Sequence, residues 1–500
     1  MPTQLNSNLS LLRLKPGNTT IRHCLLFSLT AMIVGLLGNS ADALGAQDWL
    51  TLNSNMTVTY HEQPESVTSW SELLDASRVI GRLRSNTFFW RWHEADSTQQ
   101  NHQIGGLGGS VILRSGLLIG FGIDVGVYAT SNPYLHVDQH DYDILKAGRD
   151  VISRGTGESA YAVIGQANLH YQGSAFSLTL GRQLYESTFT ASNDTKMIPN
   201  AFDGIGMHYK VSDRTTLRAA YFYQTKARGH ANGHDLITVG NAEGDLWSNQ
   251  DDAAAHYGLS YQRLEAAGLD VDNPLIMAGV EQRLGDFSGH LDYLQAPDLF
   301  HQAAFELKGN VAISTRWRWK PALKYMVQQD DQAGSIAGAS GRQDVSNAQP
   351  KGYTDPDSLN SHLVAARMDF EHLGSGLSYR IGYSQIADQA DLVAPWRGFP
   401  TAGYTRPMGQ YNWTANETSW MLQLHGPLDR VMPWRGTRLS IRLSRFDRDE
   451  RKGFIDRDVI NIDIDQQLNE RLWARLRLLR ANDDGPTGYN EYRIEVNQFF

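Results

Sequence analysis

Three successive stretches near the C-terminus alternate charge with hydrocarbon. In 437–444 one row is Arg438, Ser440, Arg442 and Ser444, opposite Leu439, Ile441 and Leu443. In 457–465 it is Arg457, Asn461, Asp463 and Asp465, opposite Ile460, Ile462 and Ile464. In 471–478 it is Arg471, Trp473, Arg475 and Arg477, opposite Leu472, Ala474, Leu476 and Leu478. A period of two puts each row on one face of a strand. Side by side, the three would turn cation, anion and cation rows toward one space. A guanidinium holds a carboxylate through two parallel hydrogen bonds, so such rows could hand a carboxylate from Arg to Arg across a transverse field. Asp463 and Asp465 would form the opposing acidic row. The alternative is that Arg and Asp merely pair to fill a wet interior.

The surrounding strands decide what kind of interior this is. In 316–327 Arg316, Arg318, Lys320 and Lys324 share one face, and Trp317, Trp319, Leu323, Tyr325 and Val327 the other. Cations beside Trp are unfavourable in a soluble core, but fit a wall with Trp at the lipid headgroups and cations in water. The last twelve residues, YNEYRIEVNQFF, repeat the pattern: Tyr492, Ile494, Val496, Gln498 and Phe500 against Glu491, Arg493, Glu495, Asn497 and Phe499. A strand ending on an aromatic fits the closing strand of a membrane barrel. Further inward candidates are Arg82, Arg84, Arg218, Arg367, Asp369 and Arg380.

Although 41% of the residues are hydrophobic, nothing after residue 45 supplies the roughly 20 consecutive apolar residues of a membrane helix. A membrane protein built this way must be a closed barrel, because otherwise lipid leaves backbone groups unsatisfied. Basic Arg13, Lys15 and Arg22 precede an apolar run from Cys24 to Gly38, followed by Ala41-Asp42-Ala43. This pattern predicts a secretory signal peptide over 1–43, cut after Ala43, rather than a retained anchor. Cys24 is the only cysteine, so the mature chain would hold no thiol or disulfide. The net charge of −9 argues against a nucleic-acid partner.

Residues 44–78 are polar and irregular and read as a periplasmic lead-in, with the barrel over 79–500. Strands are expected near 80–93, 102–113, 117–128, 159–171, 175–184, 202–211 and 214–225. Between 252 and 327 there are five candidates (252–263, 275–284, 287–294, 299–308 and 314–327), of which alternating topology admits four. Strands then follow near 361–371, 376–387, 416–425, 437–448, 457–466, 470–481 and 489–500. Short turns alternate with long loops, as in an outer-membrane barrel. The expectation is an all-β, transmembrane antiparallel barrel of eighteen strands with both termini on the turn side.

Leu180–Gly204 joins the fifth and sixth strands as the third external loop. Folded inward over about 185–201, it would narrow the lumen and present Tyr185, Phe189, Ser192, Asn193, Asp194 and Lys196 to a solute. By simple alternation Arg182 would face lipid, unless a bulge turns it inward.

Signal peptide, barrel pattern, inward arginines and the run GRQ…D-x-x-MIPN-x-F-x-G (Gly181, Arg182, Gln183, Asp194, Met197, Ile198, Pro199, Asn200, Phe202, Gly204) together resemble the OprD-type substrate-specific outer-membrane porins. The resemblance implies an eighteen-stranded barrel in the bacterial outer membrane, narrowed by the third loop and another inward loop. It also implies a basic ladder guiding carboxylate-bearing solutes such as amino acids or aromatic acids. Carried onto this sequence, the ladder falls on Arg316, Arg318, Arg438, Arg442, Arg475 and Arg477. The implied protein is a passive, non-enzymatic channel without cofactor, a monomer or loose homotrimer whose partners are small anionic or zwitterionic solutes and lipid.

Other classes fit less well. No GxSxG, HExxH, P-loop or paired-Cys pattern is present, and a barrel hydrolase would need a Ser/His/acid set that these strands do not supply. A soluble glycan-binding β-protein conflicts with the Trp317/Trp319 strand, whereas an export channel for an anionic polysaccharide would share the arginine lining. His136, Asp138, His140, Asp141 and Asp143 could crowd around a metal, but read as a solvated external loop. Asp330-Asp331 reads as a polar loop.

Overall fold

The computed structural model describes residues 50–95, 101–136, 160–228, 230–243, 256–341, 351–393, 404–409, 412–483, 485 and 487–500. Eighteen long strands close one antiparallel barrel. In chain order they are β1 (Arg78–Trp92), β2 (His102–Arg114), β3 (Phe121–His136), β4 (Ala160–Gln172), β5 (Phe176–Gln183) and β6 (Ala201–Ser212). Then come β7 (Thr215–Lys226), β8 (Leu275–Leu284), β9 (Phe287–Ala296), β10 (Phe300–Gly309), β11 (Trp317–Asp330) and β12 (Ser361–His372). The last are β13 (Leu377–Ile386), β14 (Thr418–Pro427), β15 (Thr437–Asp447), β16 (Arg457–Gln467), β17 (Leu472–Asp483) and β18 (Tyr489–Phe499). β18 closes on β1 with Glu495 opposite Asn86 and Phe499 opposite Arg82. Among the described residues no helix is long and apolar enough to cross a membrane.

Alternation sets the two faces. On β18 Glu491 and Glu495 are fully enclosed, while Tyr492 and the following Phe500 are open to the outside. On β11 Lys324, Met326 and Gln328 are buried inward, and Leu323 and Tyr325 are exposed outward. An apolar outside and a polar inside are what lipid and water select across one sheet.

One open choice is settled and one expectation needs correction. The candidate at 252–263 is the one to discard, for its described part is a turn leading into the helix Tyr261–Ala267. Gln262–Ala267 are mostly good helix formers and Gly268 stops them, so helix propensity outweighs a weak alternation here. The strand expected at 117–128 runs instead from Phe121 to His136. Leu117–Leu118 is held in a separate parallel pairing with Ser66–Val67, which delays the start of the strand. Of the candidate metal loop only the backbone of His136 is described; Val137 to Asp143 lie outside the described residues, as does the signal-peptide region.

Residues 50–60 form a hairpin, Leu50–Leu52 pairing with Val58–Tyr60. Its tip is not a free lead-in: Met56 is fully buried against inward-facing side chains of the wall.

Candidate functional site

The lumen holds a cavity of about 920 Å³ whose lining comes from the wall and from three inserted segments. These are the hairpin tip (Asn53, Ser54, Asn55, Thr57), the third external loop (Glu186 to Lys196) and a stretch at 404–409 between β13 and β14. Among the described residues, eleven cationic side chains and four carboxylates line it. Arg442, Arg477 and Arg493 stand on β15, β17 and β18; across the barrel are Arg218, Lys308, Lys324, Arg367 and Arg380; Lys196, Arg228 and Arg406 come from loops. The carboxylates are Glu186, Glu306, Asp463 and Glu491.

The six ladder positions separate by depth. Arg442 and Arg477 line the cavity. Arg442 donates through Nη1 to Asn461 at 2.9 Å and Asp463 at 2.6 Å. Arg475 is buried, bonded to Asp465 and to the Ser54 carbonyl. Arg316 and Arg438 are exposed at the turn end of the barrel, and Arg318 lies at that end of β11, outside the cavity lining. Of the acidic row, Asp463 reaches the cavity and Asp465 does not. The other inward candidates are placed inward: Arg218 pairs with Asp292 at 2.9 Å, and Arg380 donates to Asp369 at 2.5 and 2.7 Å.

The third loop folds into the barrel because β1 grips it. Alternation turns Arg82, Arg84 and Asn86 inward, and these three take hold of two consecutive residues. Arg82 and Arg84 donate to the Asp194 carboxylate at 2.7 and 2.8 Å, Arg84 also to the Asp194 carbonyl, and Asn86 to the Thr195 carbonyl at 2.9 Å. All of these side chains are buried, so removing the carboxylate would strand two charges in a poorly hydrated site. Asn200 pins the loop from within, accepting from Asn193 N–H and donating to the Ala191 carbonyl. Arg228, from the next external loop, donates to Asn193 and Thr195.

Of the six predicted loop residues, Asn193 opens to the cavity, and Ser192 and Lys196 touch its lining while remaining enclosed themselves. Asp194 is sealed under Arg82 and Arg84, while Tyr185 and Phe189 pack into an apolar cluster with Phe202 and Phe222. Glu186, absent from the expected set, faces the cavity and accepts Ser192 N–H at 2.7 Å. The side chain opens onto the cavity, and partial desolvation by the wall and loops around it pushes its carboxyl up to about 7, against the lowering effect of that hydrogen bond.

At the neck of the loop, Arg182 shares a strand face with the exposed Leu180 and donates to both Asp203 oxygens at 2.7 Å. The charge on the outer face is thus matched by its neighbour on β6. Gly181 and Gly204 oppose each other there with φ of +110° and +156°. A Cβ would lie 2.5 Å from the Ala167 carbonyl oxygen at Gly181, and 2.1 Å from that of Tyr221 at Gly204. Only glycine lets the chain leave the wall here.

Sequence reasoning missed the inserted segment 404–409. Tyr404 donates to Glu306 at 2.8 Å and lies beside the Arg367 and Lys324 cations. Gly382 carried the signal, since a Cβ there would sit 1.7 Å from the Tyr404 carbonyl oxygen. A glycine inside a strand marks a close backbone approach.

The comparisons fit this architecture. The chain resembles Pseudomonas aeruginosa OpdK solved with vanillate at 15% identity and TM-score 0.66, over 86% of this chain and 99% of that one. It resembles Acinetobacter baumannii OccAB3 at 14% identity and TM-score 0.68, over 85% and 100%. A BenF-like porin from Pseudomonas fluorescens Pf-5 matches at 12% identity and TM-score 0.67, over 86% and 99%. At such identities the likeness concerns the fold. No curated protein sequence matches the chain. The model of the family described as outer membrane porin, OprD family, matches residues 74–353, more than half of the chain. With its closed eighteen-stranded wall and inward third loop, the chain belongs to the OprD family of bacterial outer membrane porins.

Proposed function

We propose that this porin gives selective passive diffusion to small carboxylate-bearing solutes along its arginine-lined lumen, without catalysis. The observation that carries this reading is the charge balance of the cavity: eleven cations line it against four carboxylates, and the balance stays cationic when Asp292 and Asp369, paired with Arg218 and Arg380 behind the lining, are added, in a chain whose net charge is −9. A guanidinium has five N–H donors. Arg442 makes its bonds to Asn461 and Asp463 through one nitrogen, so the acid sets the orientation without occupying the whole fork. Such held cations can replace the hydration of a passing carboxylate while leaving it weakly enough bound to move on. OpdK, a relative in fold, was solved with vanillate, a carboxylate.

The test is single-channel recording of the refolded mature chain under a salt gradient, with and without mono- and dicarboxylates. The channel should be anion-selective and blocked by carboxylates. A charge-assisted hydrogen bond contributes about 1.5–3 kcal/mol, so Arg442→Ala should weaken the block by roughly tenfold or more. Arg316→Ala, at the exposed turn, should leave the block unchanged. Cation selectivity, or equal weakening by both substitutions, would sink the reading.

A further inference from the structure

We propose that the N-terminal hairpin tip, residues 53–57, is the lower jaw of the constriction: it enters from the turn end, meets the third loop inside the barrel and sets the width of the open channel.

The contacts run in both directions. The Ser54 carbonyl accepts from Arg475 at 2.9 Å and from Arg477 at 2.6 Å. The Met56 carbonyl accepts from Arg82 at 3.0 Å. Asn55 donates to the Ser192 carbonyl at 2.7 Å, and its own carbonyl accepts Asp194 N–H at 2.8 Å. The tip is therefore bonded to β1, β17 and the third loop at once. Arg477 stands five residues into β17 from Leu472, so the tip reaches roughly 15 Å up the wall from the turns. There Ser54 is exposed to the lumen and lines the same cavity as Asn193 and Arg442.

The stem is fixed outside the lumen. The Glu65 carbonyl accepts Leu117 N–H at 2.8 Å, and Ser66–Val67 pairs with Leu117–Leu118. A tethered stem and a bonded tip describe a standing part of the pore. Because Ser54 caps Arg475 and Arg477 by its carbonyl, the jaw also decides how much of that basic row a solute meets.

Cys24 is the only cysteine, so Ser54→Cys in a refolded barrel that also carries Cys24→Ser is a single-site probe. The readout is potassium chloride current, which requires no assumption about carboxylates. Attaching a bulky anionic methanethiosulfonate to the introduced thiol should cut the single-channel current by about half or more, reversibly with a reductant. Shortening the tip by replacing 53–57 with two glycines should raise the conductance by about twofold or more. Heat-modifiable gel mobility shows that each variant is a folded barrel. A folded S54C barrel that resists labelling, or that takes the label with its current unchanged, would overturn the proposal. So would a folded short-tip variant with wild-type conductance.

Discussion

The wall from β15 through β18 to β1 and the third loop contribute neighbouring residues to one cavity by opposite means. On the wall, parity decides: Arg475, Arg477, Glu491, Arg493 and Glu495 all face inward because every second residue must. In the loop, consecutive residues part company. Asn193 opens to the cavity, and Ser192 and Lys196 touch its lining though enclosed, whereas Asp194 among them turns away to Arg82 and Arg84. A strand inherits its facing from covalent geometry; a loop takes its facing from whichever partners satisfy its polar groups.

The largest expected effect comes from cutting that loop free. Asp194→Ala leaves two buried guanidiniums uncompensated, at a local cost of about 3–5 kcal/mol. The barrel should still form, with conductance raised several-fold and the loop newly sensitive to protease. Wild-type conductance in the variant would mean that the loop holds itself in place, and the contrast between wall and loop would fail.

A middling effect should follow pH. The Glu186 carboxyl, open to the cavity but partly desolvated by the wall and loops around it, is raised to about 7 from its ordinary 4.5. Folding therefore gains from its protonation: that contribution is fully present below 4.5 and fades as pH rises through 7. In the channel, deprotonation adds a fourth negative charge to the cavity, so anion selectivity should fall between about pH 6 and pH 8, most visibly at low salt. Glu186→Gln should flatten this profile and hold the acid-side selectivity. A profile that survives the substitution would place the titrating group elsewhere.

The smallest effect is expected at the 404–409 insertion. Tyr404→Phe removes one hydrogen bond to Glu306, a net loss of about 1 kcal/mol. Mean conductance should stay the same while open-channel noise increases. A large change in the mean would show that this segment hangs on a single bond, whereas Thr405, bonded to Ser384 and Asn412, ties it down as well.

How far the site can be read from the sequence follows the same division. Arg442 and Arg477 fall where alternation puts them, because a period of two with Leu and Ile opposite has one solution in lipid. Arg316 and Arg438 have the right parity and the wrong depth: alternation fixes the face of a residue, and only the strand register fixes its height. The motif residues from Gly181 to Gly204 are visible as a pattern, but their work is largely structural, with Arg182 paired to Asp203, Asp194 clamped and Asn200 pinning the loop. The helix Tyr261–Ala267 is legible in its propensities, and a weak alternation over the same residues hides it.

By itself, the sequence determined the barrel, its eighteen strands and the two faces of its wall. Each of these rests on a repeat that a chain with lipid outside and water inside must obey. Only the tertiary structure decided the constriction. It brought residues 53–57, 192–196 and 404–409 together across the barrel, where hydrogen bonds between segments far apart in sequence replace any local rule.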